Sequence, residues 1–503
     1  MQGKTIVLSI VTLIGLIALF LIFKVPTVSS LLNHILNVNP LAWILSFGAI
    51  ISMAVALTLT LSENSAGCLA WIVTGVFSAG WIFWLVAQGP LMFSALYHQT
   101  SYQESGLIEQ SRIRDVAYTV ANTNFNSQNP YSKSGPGDLD FIDGHWISSI
   151  DPKDLNVFSL PTQGIFIYDP DGEDKVVQVL EQFPFSEAGW LGNSATYFVR
   201  NVSYFTEFSE VVYKKLPGED TGYIAVTSLI KRDGFVRYPY LWKVLVVFPD
   251  GRFELLDPKA AETDPRLEGV AIRSEWLTKQ QVIAYGWRYG AWKGFVNRLG
   301  RIDIQTSAVN DENSAPFHME TPNGYMWYAP FSPLGSGSMI GMAMASSKLA
   351  SAPIAIWSLP ENQAIFAADS LVAEIESSLN HQLYNWYRVS AESACGNVQI
   401  LELVPLVRKE ADGNHLYYMG YVAPAPKATQ VMFFSIIDPF TRIVYQDLLT
   451  ANDVDSWLSG EYELTPQSAG DSVVIELDPG ICDITAVPAE NLLQEIERRL
   501  TGK

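Results

Sequence analysis

Charge is nearly missing from the first part of this chain. Residues 1–93 hold only Lys4, Lys24 and Glu63 as charged side chains, which excludes an ordinary water-exposed domain over that stretch. Basic residues are scarce throughout, with 32 Lys and Arg against 52 Asp and Glu, a formal net charge of −20. Such a deficit excludes nucleic acid as a partner, because phosphate recognition needs clustered cations. It also disfavours packing the whole body against anionic lipid.

Cysteine is limited to Cys68, Cys395 and Cys482. No CxxC motif or Cys/His cluster occurs, so no local zinc or redox motif is present. Cys68 lies in an apolar run, which leaves Cys395 and Cys482 to form one disulfide or remain two thiols. The six histidines, His34, His98, His145, His318, His381 and His415, are scattered without an HExxH pair. The "GSGS" stretch at 335–338 lacks the lysine of a phosphate loop and the flanks of a nucleophile elbow, so Ser336 and Ser338 are poor nucleophiles. Glu374 and Glu376 stand two apart on a predicted helix and share no face. No cofactor or metal is expected from these patterns.

Long apolar runs are present instead. Three stretches, Thr5 to Phe23, Leu41 to Leu61 and Gly67 to Phe93, match the roughly 20 residues a helix needs to cross about 30 Å of hydrocarbon. They predict a three-helix anchor over 1–98. The first reads as uncleaved, since two more spans follow it before any globular sequence. Between the first two, "VSSLLNHILN" suggests a short interfacial helix. Pro90 is expected to kink or end the third span. Trp43, Trp71, Trp81 and Trp84 include candidates for interfacial anchoring. Gly67, Ala70, Gly75, Ala79 and Gly80 supply the small side chains that close helix packing in a bilayer requires. Lys4 and Lys24 nearly cancel as orientation signals. Lys4, the odd span count and the sparse cysteines favour a cytoplasmic N-terminus in the plasma membrane, with residues beyond about 94 outside. Arg112 and Arg114 oppose that orientation.

Beyond the anchor, residues 99–150 read as a transition, with "NFNSQNPYSKSGPGDLD" as an exposed linker. The body then divides into α+β units over 151–265, 266–367 and 368–503. "WKVLVVF" and "RFELL" alternate apolar with polar residues around "PDG", which predicts a hairpin turning at Asp250 and Gly251. A similar order recurs in "VQILELVPLVRKEADGNHLYYMGYVAP" with its following strands, and more loosely in "GYMWYAPFSPLGSGSMIGMAMASS". Helical candidates precede each copy: "TEFSEVVYKKL", "SEWLTKQQVIAYGWRYG" and "DSLVAEIESSLNHQLYNWY". The predicted class is therefore α+β, a repeated helix with about four antiparallel strands. This helix-on-curved-sheet order is faintly similar to cystatin-like and PepSY-type units. Asp169, Asp171 and Asp174 suggest a solvated turn capping a helix from Lys175, rather than a calcium loop that lacks its terminal Glu. The final "AENLLQEIERRLTGK" is a predicted helix docked on the body.

Two stretches are candidate contact surfaces. Around 285–301, Arg288, Lys293, Arg298 and Arg301 accompany Trp287, Tyr289 and Trp292, a basic aromatic segment suited to an acidic neighbour, a glycan or a lipid headgroup. The competing reading packs those aromatics on a sheet. In "GYMWYAPFSPL", Tyr325, Trp327 and Phe331 share one strand face, as core or as an exposed aromatic strip. The sequence thus points to a noncatalytic membrane-anchored scaffold or assembly subunit, with protein partners or a homo-oligomer. The alternatives are an envelope enzyme acting on a peptide, glycan or lipid, and an accessory subunit of a channel or transporter.

Overall fold

A computed structural model describes residues 40–61, 67–128, 134–153, 161–169, 175–189, 193–218, 222–305, 315–360, 365–366, 368–378, 385–386, 397–425, 427–461 and 463–464. The first apolar stretch, the segment after it, Asp171, Asp174, Cys395, Cys482 and the C-terminal predicted helix lie outside the described residues.

The other two apolar stretches form α1 (Pro40–Leu61) and α2 (Gly67–Gln99), both long and apolar enough to cross a membrane. They run antiparallel in close contact: a Cβ on Gly48 would fall 2.4 Å from the Phe77 ring, and one on Gly80 lies 3.5 Å from Leu45. Trp71 Nε1 of α2 donates to Thr60 Oγ1 of α1 at 3.1 Å. Pro90 does not end α2. The helix continues through it for nine more residues, with the Pro90 nitrogen lacking only its own bond to the preceding turn.

The chain leaves α2 at Gln99 and enters a strand, β1 (Tyr102–Glu104), almost at once. Next come α3 (Tyr118–Gln128) and the four-stranded antiparallel sheet of β2 (Ser134–Ile142), β3 (His145–Pro152), β4 (Ile165–Tyr168) and β5 (Val176–Val179). Two expectations are corrected here. Residues of the supposed linker form α3 and β2, because Val120, Ala121 and Phe125 give α3 a buried face, and Leu139 and Ile142 bury β2 in two different cores. The segment from Lys175 is a strand, its Val176 buried against β4 rather than starting a helix.

After α4 (Ala195–Val202), a second sheet orders β10 (Phe253–Leu256), β9 (Tyr238–Val247), β8 (Tyr223–Asp233) and β6 (Glu207–Phe208), with β7 (Val212–Lys215) also on β8. "TEFSEVVYKKL" is thus two strand segments, not a helix. Its consecutive Val211, Val212 and Tyr213 are all buried, as suits a strand covered on both faces. The expected PDG hairpin is present: Val247 pairs with Phe253, and Gly251 takes φ +85° in the turn.

The helices α5 (Pro258–Thr263), α6 (Glu275–Tyr285) and α7 (Ala291–Val296) lead to a six-stranded sheet. Ser274 caps α6 by accepting from Leu277 N. The sheet joins β11 (Ile302–Ile304), β12 (Phe317–Thr321), β13 (Gly324–Pro333), β14 (Gly341–Ser346) and β15 (Ile354–Ser358), and β1 pairs with β15 in parallel. A helix, α8 (Ala368–Ser378), precedes the last sheet of β16 (Asn385–Trp386), β17 (Asn397–Glu410), β18 (Gly413–Pro424), β19 (Phe433–Ile437) and β20 (Val444–Leu449), which α9 (Ala451–Leu458) follows. The class is mixed α+β, with several small, largely antiparallel sheets.

The largest core joins elements far apart in sequence, from Leu107, Val120 and Phe125 to Tyr328, Leu403 and Trp457. Arg114 knits that region together. It is buried, donates through Nε to His318 O at 2.9 Å and lies over the Phe141 and Trp146 rings, while its own carbonyl accepts from Tyr421 OH at 2.8 Å.

Candidate functional site where α2 meets the body

Contacts between α2 and the body run along the C-terminal part of that helix. The Trp84 ring meets Phe235, at the tip of the β8–β9 hairpin, edge-on at 5.2 Å. Phe93 stacks on Trp287 with centroids 6.3 Å apart and planes 6° from parallel. Tyr97 stacks on Tyr102 at 5.2 Å, and Tyr102 OH donates to Gln281 O at 2.5 Å. The hairpin also supplies Arg232, which Glu207 holds through Nε at 2.9 Å and Nη2 at 3.1 Å. The site follows from a helix that does not stop at its apolar span and a segment, 285–301, with enough rings to receive it.

The structure divides the basic aromatic residues into two groups. Trp287 is buried, covered by Phe93 on one side and by Gly294 on another, where an added Cβ would fall 2.7 Å from the indole. The Arg301 guanidinium lies 4.3 Å from its ring centroid. Arg288 lies over Tyr285 and Tyr289 and donates to Gly300 O at 3.1 Å. Tyr289, Trp292 and Lys293 face out, with Trp292 76 % exposed. The segment is thus part buried, its Trp287 packed on the helix α2 rather than on a sheet, and part exposed.

The aromatic strand goes inward. Trp327 and Phe331 are buried and Tyr325 is half-buried; Trp327 Nε1 donates to Arg273 O at 2.7 Å. The exposed-strip reading of "GYMWYAPFSPL" is thereby overturned, because α6 packs on that strand, β13, while β12 and β14 flank it. Beside it, burial and the Arg114 charge push the His318 imidazole down to about 3, and its Nε2 lies 3.0 Å from Ser347 Oγ. A neutral histidine there has a structural role.

Among the small residues of α2, Gly80 packs against Leu45 and Ala70 is half-buried. Gly67 is the first residue of the helix. Gly75 and Ala79 point away from α1, and nothing lies within 4 Å of a Cβ placed on Gly75.

Spacing did not mark two acidic groups. Asp138 and Asp140 on β2, Asp151 on β3, Glu187, Glu210 and Glu275 act on one another electrostatically. The β2–β3 register slips between Pro136 and Leu139, and this bulge carries Asp138. Burial and neighbouring carboxylates hold Asp140 and Glu187 well above the ordinary carboxylate range, and burial with the Glu275 charge pushes Glu210 up to about 7. Asp151 is tied down by Thr162 Oγ1 at 3.1 Å and Ala188 N at 2.9 Å. Carboxylic acids kept neutral near pH 7 can donate protons. The six residues span 137 positions of sequence, so only the fold brings them together. Glu410, Asp412 and His415 form a smaller group at the β17–β18 turn, with His415 Nε2 2.8 Å from Asp412 Oδ1; the "EADGNH" turn was the signal for it.

No protein-family model matches the chain, and no curated protein matches it. Among solved structures, a putative hydrolase from Bacteroides ovatus is similar at 9 % identity over 65 % of this chain and 73 % of its own, with a TM-score of 0.19. That likeness is too slight to bear on fold or activity.

Proposed function

We propose that this protein is a membrane-anchored, noncatalytic scaffold or assembly subunit, holding an acidic α+β body at the plasma membrane and presenting it to protein partners. The observation that carries this reading is the direct passage from α2 into β1. Three ring contacts, Trp84–Phe235, Phe93–Trp287 and Tyr97–Tyr102, back the helix against the body. A loose linker would leave the body free to reorient about its tether, whereas this junction gives it a fixed attitude to its membrane, as a platform requires. The proposed anchor has three helices, the proposed body comprises three related α+β units, and the proposed orientation places the body outside the cytoplasm. The test is native mass measurement of the full chain extracted in mild detergent from its own membrane. A discrete complex of two or more chains supports the scaffold; a uniform monomer after both mild extraction and prior crosslinking contradicts it.

A second reading, an envelope enzyme acting on a peptide, glycan or lipid, is favoured by the carboxylates around Glu187 and Glu210. It requires turnover of some such substrate by the full chain, abolished by Glu187→Gln or Glu210→Gln. Turnover that survives both substitutions removes these residues from the chemistry.

A further inference from the structure

The short helix α7 is built inside out for a water-soluble surface. Its inward position is Gly294, pressed on Trp287, while Trp292, Phe295, Val296 and the following Leu299 are all exposed. Trp292, Phe295 and Val296 stand at i, i+3 and i+4, one helical face, and Leu299 follows just past the helix end. Soluble surfaces scatter single apolar residues but rarely line them up this way.

The position of this face matters as much as its composition. α7 and β9 both contact α2, and the β8–β9 tip carries Phe235, 72 % exposed although its ring touches Trp84. Trp84 precedes Phe93 by nine residues, so the hairpin tip reaches about 13 Å farther toward the apolar end of α2 than the Trp287 stack does. At 33 residues, α2 is roughly 50 Å long, against about 30 Å of hydrocarbon in a bilayer. About 20 Å must therefore emerge, and the body clothes that part of the helix. The exposed apolar residues of α7 and the hairpin are thus carried beside the segment of α2 that passes through the membrane boundary.

Charge agrees with a lipid occupant. Arg288 and Arg301 are engaged over neighbouring rings, but Lys293 and Arg298 are exposed next to the apolar face in an otherwise acidic chain. Long cations flanking aromatic residues suit the headgroup layer, where the stems stay apolar and the charges meet anionic phosphate. The opposing charges are Asp233 at the hairpin tip, where it accepts from Gly234 N and Tyr238 OH, Glu207 paired with Arg232, Asp303 beside Arg301 and Glu104 beside Tyr285.

We propose that the outward face of α7 and the tip of the β8–β9 hairpin rest in the interfacial layer of an anionic bilayer, the one that α2 crosses, as a second and peripheral membrane contact. The proposal relies on the anchor reading of α2, and its test keeps the two apart. The full chain, with Cys68→Ser, Cys395→Ser and Cys482→Ser, receives a single cysteine by Phe295→Cys, Phe235→Cys, Val76→Cys or Leu180→Cys. Each is labelled with the environment-sensitive fluorophore NBD and placed in nanodiscs containing phosphatidylglycerol and lipids brominated at shallow or deep acyl positions. The expected result is quenching at 295 and 235 mainly by shallow bromines, quenching at 76 by deep ones, and none at 180, which lies in an exposed stretch after β5. If 76 is quenched while 235 and 295 are not, even with blue-shifted emission caused by a second copy of the chain, the peripheral contact is overturned and the anchor stands. If 76 is unquenched as well, the anchor reading fails and takes the proposal with it.

Discussion

Phe93 of α2 lies nearly parallel to Trp287, 6.3 Å between ring centroids, and so couples a helix able to span a membrane to the segment of the body that packs against it. Trp287→Ala should destabilise the protein by about 3 kcal/mol or more, as removal of a buried indole does elsewhere. Phe93→Ala should cost less, since Phe93 is only half-buried. In a double-mutant cycle read by thermal unfolding in detergent, the pair should show coupling on the order of 1 kcal/mol. Additive losses would mean that the stack does not connect anchor and body.

Arg114 provides a second test, because its guanidinium is fully enclosed between Phe141, Trp146 and the His318 carbonyl. Arg114→Ala leaves that carbonyl short of its donor and opens a cavity, for an expected loss of about 3 kcal/mol. Denaturant unfolding checks it. A change below about 0.5 kcal/mol, the usual range for surface positions, would contradict the placement of residues 107–125 in the main core.

Glu210 should make stability depend on pH. Its carboxyl is pushed up from 4.5 to about 7 by burial and by Glu275, so between those values the folded chain holds a proton that the unfolded chain has released. This contribution is fully present below about 4.5 and is lost as pH rises through about 7. Glu210→Gln keeps the neutral form and should raise stability at pH 8 by on the order of 2 kcal/mol relative to the parent, with little change at pH 4.5. Unfolding curves at the two pH values decide it; an equal effect at both would show that the group does not titrate in this window.

The small residues of α2 separate two kinds of packing. Gly48→Leu should drive into Phe77 and disrupt the α1–α2 pair, whereas Gly75→Leu and Ala79→Leu meet open space within the chain. If Gly75 and Ala79 serve assembly, their replacement should shrink the native complex without lowering the melting temperature of the body. Unchanged complex size in both variants would remove that face from assembly.

The PDG turn was legible because it rests on local chemistry, a glycine at positive φ, and α6 was expected within the stretch it occupies. The apolar helices α1 and α2 were legible from length and the want of charge. "NFNSQNPYSKSGPGDLD" misled because its Asn, Ser and Gly content reads as loop, while Leu139 draws the strand into a core formed with residues nearly 300 positions away. "TEFSEVVYKKL" misled because short strands buried on both faces lack the alternation that marks a half-exposed one. The Tyr325–Phe331 face read first as core, with an exposed strip as the alternative that α6 excludes. The inward turn of Trp287 and outward turn of Trp292 hinge on Gly294, a residue whose part in packing shows only when a helix is already against it.

The account stands most directly on where the body lies relative to the membrane. With a tag after Lys503, protease is added to intact cells, or to spheroplasts where an outer membrane is present, and the membranes are then washed with alkaline carbonate. The account predicts that the tag is digested without permeabilisation while an N-terminal fragment containing α1 and α2 stays in the washed membrane. A tag that survives until the membrane is opened, or a fragment that washes free, would contradict it.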